Sequence, residues 1–186
     1  MRIRLATPDD AAAVAAVYAP YVRDTAISFE SEPPPEAEMR ERIAGTLPAH
    51  PWLVADLDGV RGYAYAGPHR SRAAYRWSVD VSVYTGPDVH RCGVGRALYT
   101  ALLALLTEQG YAHAFAGVTL PNPPSVGFHE ALGFEAVGVF RAVGYKFDRW
   151  RDVGWWQRPL VGPQASPAEP VPLARLDPAV VARCLG

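Results

Sequence analysis

The chain has little of what several large function classes require. Its 186 residues hold two cysteines, Cys92 and Cys184, too far apart for a disulfide framework or the paired spacing of a metal site. The formal net charge is −1, so no basic excess draws it to nucleic acid or to an acidic membrane surface. No apolar run approaches membrane-spanning length, and the N-terminal residues carry no signal-peptide pattern. No internal repeat is visible. These absences, with an ordinary apolar share of 49% and charged share of 20%, predict one soluble, cytoplasmic globular domain without a resident metal.

What is present is periodic. Residues 2–5 alternate as a short strand, and Thr7-Pro8-Asp9-Asp10 has the order of a helix start, with Thr as cap and Asp three residues on. Val14, Val17, Tyr18 and Tyr21 give that helix an apolar face. A second helix follows at 36–47, then a hairpin of strands 52–56 and 60–66 about Asp58-Gly59. Strand 77–85 leads into a helix over 94–109, which Gly110 stops. A strand at 112–119, a short helix at 123–132 and two aromatic-rich strands at 134–145 and 152–160 complete the pattern. This order predicts a mixed α/β sheet rather than a doubly wound parallel one. After Val161 the composition turns to Pro, Ala and Ser. Residues 1–161 therefore read as the domain, and 162–186 as a Pro-rich, weakly ordered tail with at most a helical turn.

The segment from Val79 to Tyr99 carries the strongest functional signal. Gly93 and Gly95 stand where a loop becomes a helix, so unpaired backbone N–H groups meet the positive end of the helix dipole there, suited to a phosphate. A Walker loop needs Lys followed by Ser or Thr after its last glycine, where this chain has Arg96 and Ala97. A dinucleotide fingerprint needs a third glycine at Leu98. Neither owner fits.

His90-Arg91-Cys92-Gly93-Val94-Gly95 does resemble the pyrophosphate loop of the GNAT acyltransferases. A later stretch is similar to that superfamily's second motif: Asn122-Pro123-Pro124-Ser125-Val126-Gly127-Phe128-His129-Glu130-Ala131-Leu132-Gly133-Phe134. Ile27-Ser28-Phe29-Glu30-Ser31-Glu32-Pro33, Tyr65-Ala66-Gly67-Pro68, Ala74-Tyr75-Arg76-Trp77 and Gly144-Tyr145-Lys146 narrow the resemblance to the phosphinothricin N-acetyltransferase branch. Trp150, Asp152-Val153-Gly154 and Trp156-Gln157-Arg158 extend it.

The resemblance implies a GNAT fold, a mixed sheet with helices on both faces, and acetyl transfer from acetyl-CoA to the amine of a small amino acid or analogue by direct attack. It places a glutamate base at the position of Asp80, which keeps the carboxylate and loses one methylene. Val83, Tyr84 and Thr85 would offer backbone groups to the pantetheine arm, with the Val83 N–H polarising the thioester carbonyl. The N–H groups of Arg91, Cys92, Gly93, Val94, Gly95 and Arg96 would cradle the diphosphate; His90 stands where Gln or Arg is usual. Asn122 would bond the pantetheine amide, with Ser125 nearby, or cap its helix. His129 occupies the position from which a proton can reach the departing thiolate. Phe29 and Tyr75 would line an acceptor pocket, and Arg72, Lys146 and Arg70 would meet an acid group. A homodimer is implied too.

Two other readings stay open from the residues alone. One keeps the fold and changes the acceptor to a polyamine, an aminoglycoside or a protein N-terminus, against which the basic residues would act. The other is an acyl-CoA-binding module weakened in catalysis by Asp80 and His90.

Overall fold

The computed structural model describes residues 1–186. Thr7 begins the first helical stretch as expected: its backbone N–H donates to Asp10 at 2.8 Å, closing a capping box over the 3-10 turn Pro8–Asp10. The Asp10 carboxylate also accepts from both terminal nitrogens of Arg4 at 2.7 Å, and that bond holds its carboxyl below the ordinary range. The contact joins β1 (Arg2–Leu5) to α1 (Ala11–Arg23). Next come α2 (Glu36–Thr46), β2 (Trp52–Asp56), β3 (Val60–Pro68), β4 (Ser78–Thr85) and α3 (Val94–Glu108). The chain continues through β5 (His113–Leu120), α4 (Pro123–Glu130), β6 (Glu135–Tyr145), β7 (Trp150–Pro159) and α5 (Pro178–Leu185). The hairpin turn uses positive φ at Asp58 (52°) and Gly59 (114°), the dipeptide best able to adopt it.

The seven strands form one sheet in the order β1-β2-β3-β4-β5-β7-β6. Only β4 and β5 run parallel, so the sheet is mixed. Helices cover both faces, which explains why four successive residues of β2 are buried. On one face Leu53, Val79 and Val81 pack with Leu98, Leu102 and Leu105 of α3. On the other Trp52, Val54 and Tyr63 pack with Val14 and Tyr18 of α1 and Met39 and Ile43 of α2.

The segment after Val161 departs from the expectation of weak order. Leu173 is 5% exposed and joins the α3-side core. Its N–H donates to Ala49 O at 3.1 Å, and that of Val171 to Gln109 O at 2.8 Å. The buried Gln109 amide donates to both Ala49 O and Val171 O. Further back, Trp77 Nε1 donates to Ala168 O at 2.7 Å and Arg76 pairs with Glu169. Composition alone does not reveal this strap, because one leucine and a few backbone bonds hold it. A chain ending at residue 161 loses the Leu173 anchor and one acceptor of Gln109, together about 3 kcal/mol. Its thermal midpoint is expected to fall by about 10 °C; an unchanged midpoint would contradict the docking.

Candidate active site

The β4–β5 pair defines the site. Register runs only through Ser78↔His113, Val79↔Ala114 and Asp80↔Phe115, after which the parallel strands diverge. Gly86 N–H donates to Arg61 O and His69 N–H to Ser78 O. By the two-residue alternation of an antiparallel ladder, Ser78, Asp80, Ser82 and Tyr84 therefore bond back to β3. The backbone groups of Val81, Val83 and Thr85 point the other way. The Val81 N–H closes the ladder to Phe115, and those of Thr85 meet Tyr21 Oη. The Val81 carbonyl and both groups of Val83 face the gap that β5 leaves. An extended chain with amide groups fits such an opening as an added strand.

At the far end of β4 the loop turns through Arg91 (φ 64°) and Gly93 (φ 81°) into α3. Cys92 N–H is used by Val89 O, and Ala97 N–H by Gly93 O. The N–H groups of Arg91, Gly93, Val94, Gly95 and Arg96 have no acceptor within the protein. An ideal Cβ on Gly93 meets nothing within 4 Å, and one on Gly95 meets only Phe128 and Thr85 at ordinary contact distance. Open space and unpaired donors at a helix N-terminus suit a diphosphate, and the adjacent strand gap suits a pantetheine arm. The residues present therefore fit acetyl-CoA. Cys92 is exposed, and its thiol lies against His90 O.

Asp80 sits where the strands part. Its Oδ1 is 2.6 Å from Nδ1 of His69, and its side chain is 37% exposed. Burial pushes the carboxyl up, while the His69 bond and the charge of Arg70 oppose that shift. His69 lies parallel to Phe115 at 4.3 Å between ring centroids, with Tyr75 and Trp155 edge-on at 6.0 and 5.8 Å. Arg70 stands 5.6 Å over Trp155. Sequence reasoning misses His69. The signal available is its place directly after Gly67-Pro68, in a chain whose β3–β4 register brings that residue opposite Ser78.

The structure thus gathers Asp80, Tyr75 and Arg70, and adds His69. It places other expected site residues differently. Lys146 is the clearest correction: its ammonium donates to Val22 O, Ser28 O and Glu30 O at 2.6, 2.8 and 2.9 Å. All three donors are spent on backbone carbonyls, so Lys146 has none for a substrate acid group. Phe29 lies on the segment thus anchored, with its ring against Gly144. Arg72 is exposed, with no ion pair.

His129 is 5% exposed. One ring nitrogen, Nδ1, is 2.8 Å from Ser125 O, a partner that can only accept. Nδ1 therefore carries the hydrogen, and Nε2 accepts from Tyr99 Oη at 3.2 Å. Burial pushes its pKa down. The neutral ring has no free N–H, so in this arrangement it holds α4 to α3 rather than offering a proton to sulfur. Asn122 accepts from Ser125 N–H and caps α4. Thr85 O accepts from Tyr21 Oη at 2.7 Å, and the same hydroxyl lies 3.3 Å from His90 Nε2. Tyr21 thus ties α1 to the end of β4 and the loop beyond.

Residues 3–155 match the family model of the acetyltransferase (GNAT) domain. The chain is 42% identical over 172 residues to phosphinothricin N-acetyltransferase of Streptomyces viridochromogenes, covering 92% of this chain and 93% of that enzyme. It is 33% identical to L-methionine sulfoximine/L-methionine sulfone acetyltransferase of Salmonella typhimurium, covering 86% and 95%. The crystal structure of a phosphinothricin acetyltransferase from Sinorhizobium meliloti in complex with AcCoA superposes with a TM-score of 0.86 at 36% identity, covering 94% and 96%. Strand divergence, unpaired loop donors and these likenesses agree: the chain belongs to the GNAT acetyltransferases and is an acetyl-CoA-dependent N-acetyltransferase.

Proposed function

We propose that the chain acetylates the α-amine of a small amino acid or analogue of the phosphinothricin or methionine sulfoximine type. The observation that carries this is a half-exposed carboxylate, Asp80, at the mouth of the β4–β5 gap with cationic Arg70 beside it. When bound, acetyl-CoA supplies an acetyl thioester. An amino acid's amine is protonated at neutral pH and attacks only after losing a proton, which Asp80 is placed to accept. The Val83 N–H faces the gap, where it donates to the carbonyl oxygen as charge develops. With Lys146 committed elsewhere, Arg70 and Arg72 are the cations left for an acid group on the acceptor. Aminoglycosides and polyamines offer them no anion. Acetylation in the cytoplasm would mask the amine of such an analogue.

The homodimer reading rests on the sheet edge. Edge strand β6 and its hairpin expose Val137, Phe140, Val143, Tyr145, Phe147 and Trp150 by 50–66%. An apolar edge of that size is expected to be covered, and a second copy supplies the same surface.

Thiol release from acetyl-CoA against a panel of acceptors tests the substrate class. Phosphinothricin and methionine sulfoximine are expected to give kcat/KM at least about 100-fold above spermidine or kanamycin, the discrimination of one or two lost charge contacts. Faster turnover of the polycations would contradict the reading. Acetyl-CoA binding without release on any amine would favour a binding module.

A further inference from the structure

We infer that His69 and Asp80 act as a pair, with His69 Nε2 taking the amine proton and Asp80 orienting the imidazole. The inference rests on the acetyl-transfer reading above and adds a second residue to the base.

The geometry has three parts. First, Asp80 Oδ1 and His69 Nδ1 are 2.6 Å apart, the short separation of a charge-assisted bond. An ionised carboxylate only accepts, so Nδ1 carries the hydrogen and Nε2 presents its lone pair. Second, Nε2 makes no hydrogen bond in the protein and is not among the buried polar atoms lacking a partner. It is therefore open to solvent, while the side chain as a whole is 13% exposed. Third, the ring is fixed. Phe115 stacks on one face, Tyr75 and Trp155 meet it edge-on, and its own backbone carbonyl takes Arg70 Nη1 at 2.8 Å. A histidine serving only as packing gains nothing from a carboxylate on one nitrogen and water at the other.

The pair also accounts for the short side chain at position 80. Where the family resemblance expects a glutamate, Asp80 ends one methylene earlier. The imidazole adds its own width beyond the carboxylate and carries the proton-accepting atom outward. In the step, one N–H bond of the substrate ammonium breaks and an N–H bond to His69 Nε2 forms. The freed nitrogen lone pair forms the C–N bond at the carbonyl, and the C–S bond breaks with its electron pair going to sulfur. The second N–H proton passes to that sulfur so that it departs as the thiol, and His69 returns its proton to water. No oxidant or further reactant is needed. The imidazolium formed is stabilised by Asp80, as a triad aspartate stabilises its histidine. The groups facing the pair are Arg70 from the same loop, Tyr75 from the turn Ala73–Tyr75, Phe115 from β5, Trp155 from β7 and Tyr65 from β3. Arg70 is the only cation among them.

The test uses the full chain with acetyl-CoA and L-phosphinothricin, following thiol release across pH. His69→Gln keeps an N–H for Asp80 and removes the proton acceptor; His69→Ala removes both. Each is expected to lower kcat about 100-fold, with acetyl-CoA affinity by calorimetry little changed. His69→Gln keeps the bond to Asp80 and most of the melting midpoint, whereas His69→Ala also lowers the midpoint by the ring contacts it removes. Adding Asp80→Glu to His69→Ala is expected to recover at least about tenfold, because the longer carboxylate then reaches the amine itself. The acid limb of its pH profile moves to lower pH, since a carboxylate alone now titrates. A variant that fails to melt cooperatively is replaced in the comparison by the other. Wild-type kcat and pH profile retained in His69→Gln would overturn the pair and leave Asp80 as sole base. A wild-type chain inactive on every amine of the panel would instead overturn the acetyl-transfer reading.

Discussion

Replacing Asp80 by Ala is expected to lower kcat for amine acetylation by about 100- to 1,000-fold, the range of a lost general base. Acetyl-CoA affinity stays within about twofold, because the unpaired loop donors of Arg91 and Gly93 to Arg96 and the open groups of Val83 are backbone atoms untouched by the change. The pH dependence follows from the burial that raises the Asp80 carboxyl. The carboxylate must be ionised to serve the proton transfer, so the wild-type acid limb of kcat/KM lies above the ordinary carboxylate value of about 3.9. Stability changes in the opposite sense. A carboxyl raised on folding favours the folded state below its unfolded pKa, and that advantage disappears as pH rises through the folded value. Asp80→Asn therefore melts no lower than wild type at pH 7, with a small gain because Asp80 is 37% exposed. Equal loss of turnover and acetyl-CoA affinity in Asp80→Ala would remove the base assignment.

Lys146→Met gives the second large effect, and it is mainly structural. The ammonium bonds three carbonyls from the end of α1 and the segment after it. Removing it leaves those groups to water and frees the segment bearing Phe29 and Glu30. Glu30 is held from the other side by Arg42, whose bonds keep its carboxyl below the ordinary range. The loss is expected to be about 2 kcal/mol, a fall of about 4–8 °C in melting midpoint. Acceptor KM rises with the loosened segment. A substrate-binding lysine would show the reverse: a large rise in acceptor KM with an unchanged midpoint.

The elements themselves were legible because each is signalled locally. The Thr7 capping box, the Asp58-Gly59 turn and the apolar face of α3 appear where their spacing predicts, within a residue or two. The gap between β4 and β5 was not legible, because register between parallel strands is decided by packing far along the chain. Asp80 is picked out by the family resemblance, yet its partner His69 is brought beside it only by the antiparallel return of β3. Lys146 shows the opposite case. A basic residue near the resemblance motifs reads as a ligand for an acid group, and only the fold reveals three carbonyls converging on it. His129 likewise matches a motif position, while its buried bonds to Ser125 and Tyr99 depend on how α4 meets α3. The tail's order turns on Leu173 and Gln109, a pairing that composition averages away.

The most direct test of the account is the product formed from L-phosphinothricin and acetyl-CoA carrying a labelled acetyl group, followed by NMR for wild type and Asp80→Ala. Wild type is expected to place the label on the α-nitrogen as an amide, with the variant forming it at least about 100-fold more slowly. Label at another position, equal rates in the two proteins, or acetyl-CoA binding with no labelled product would contradict it.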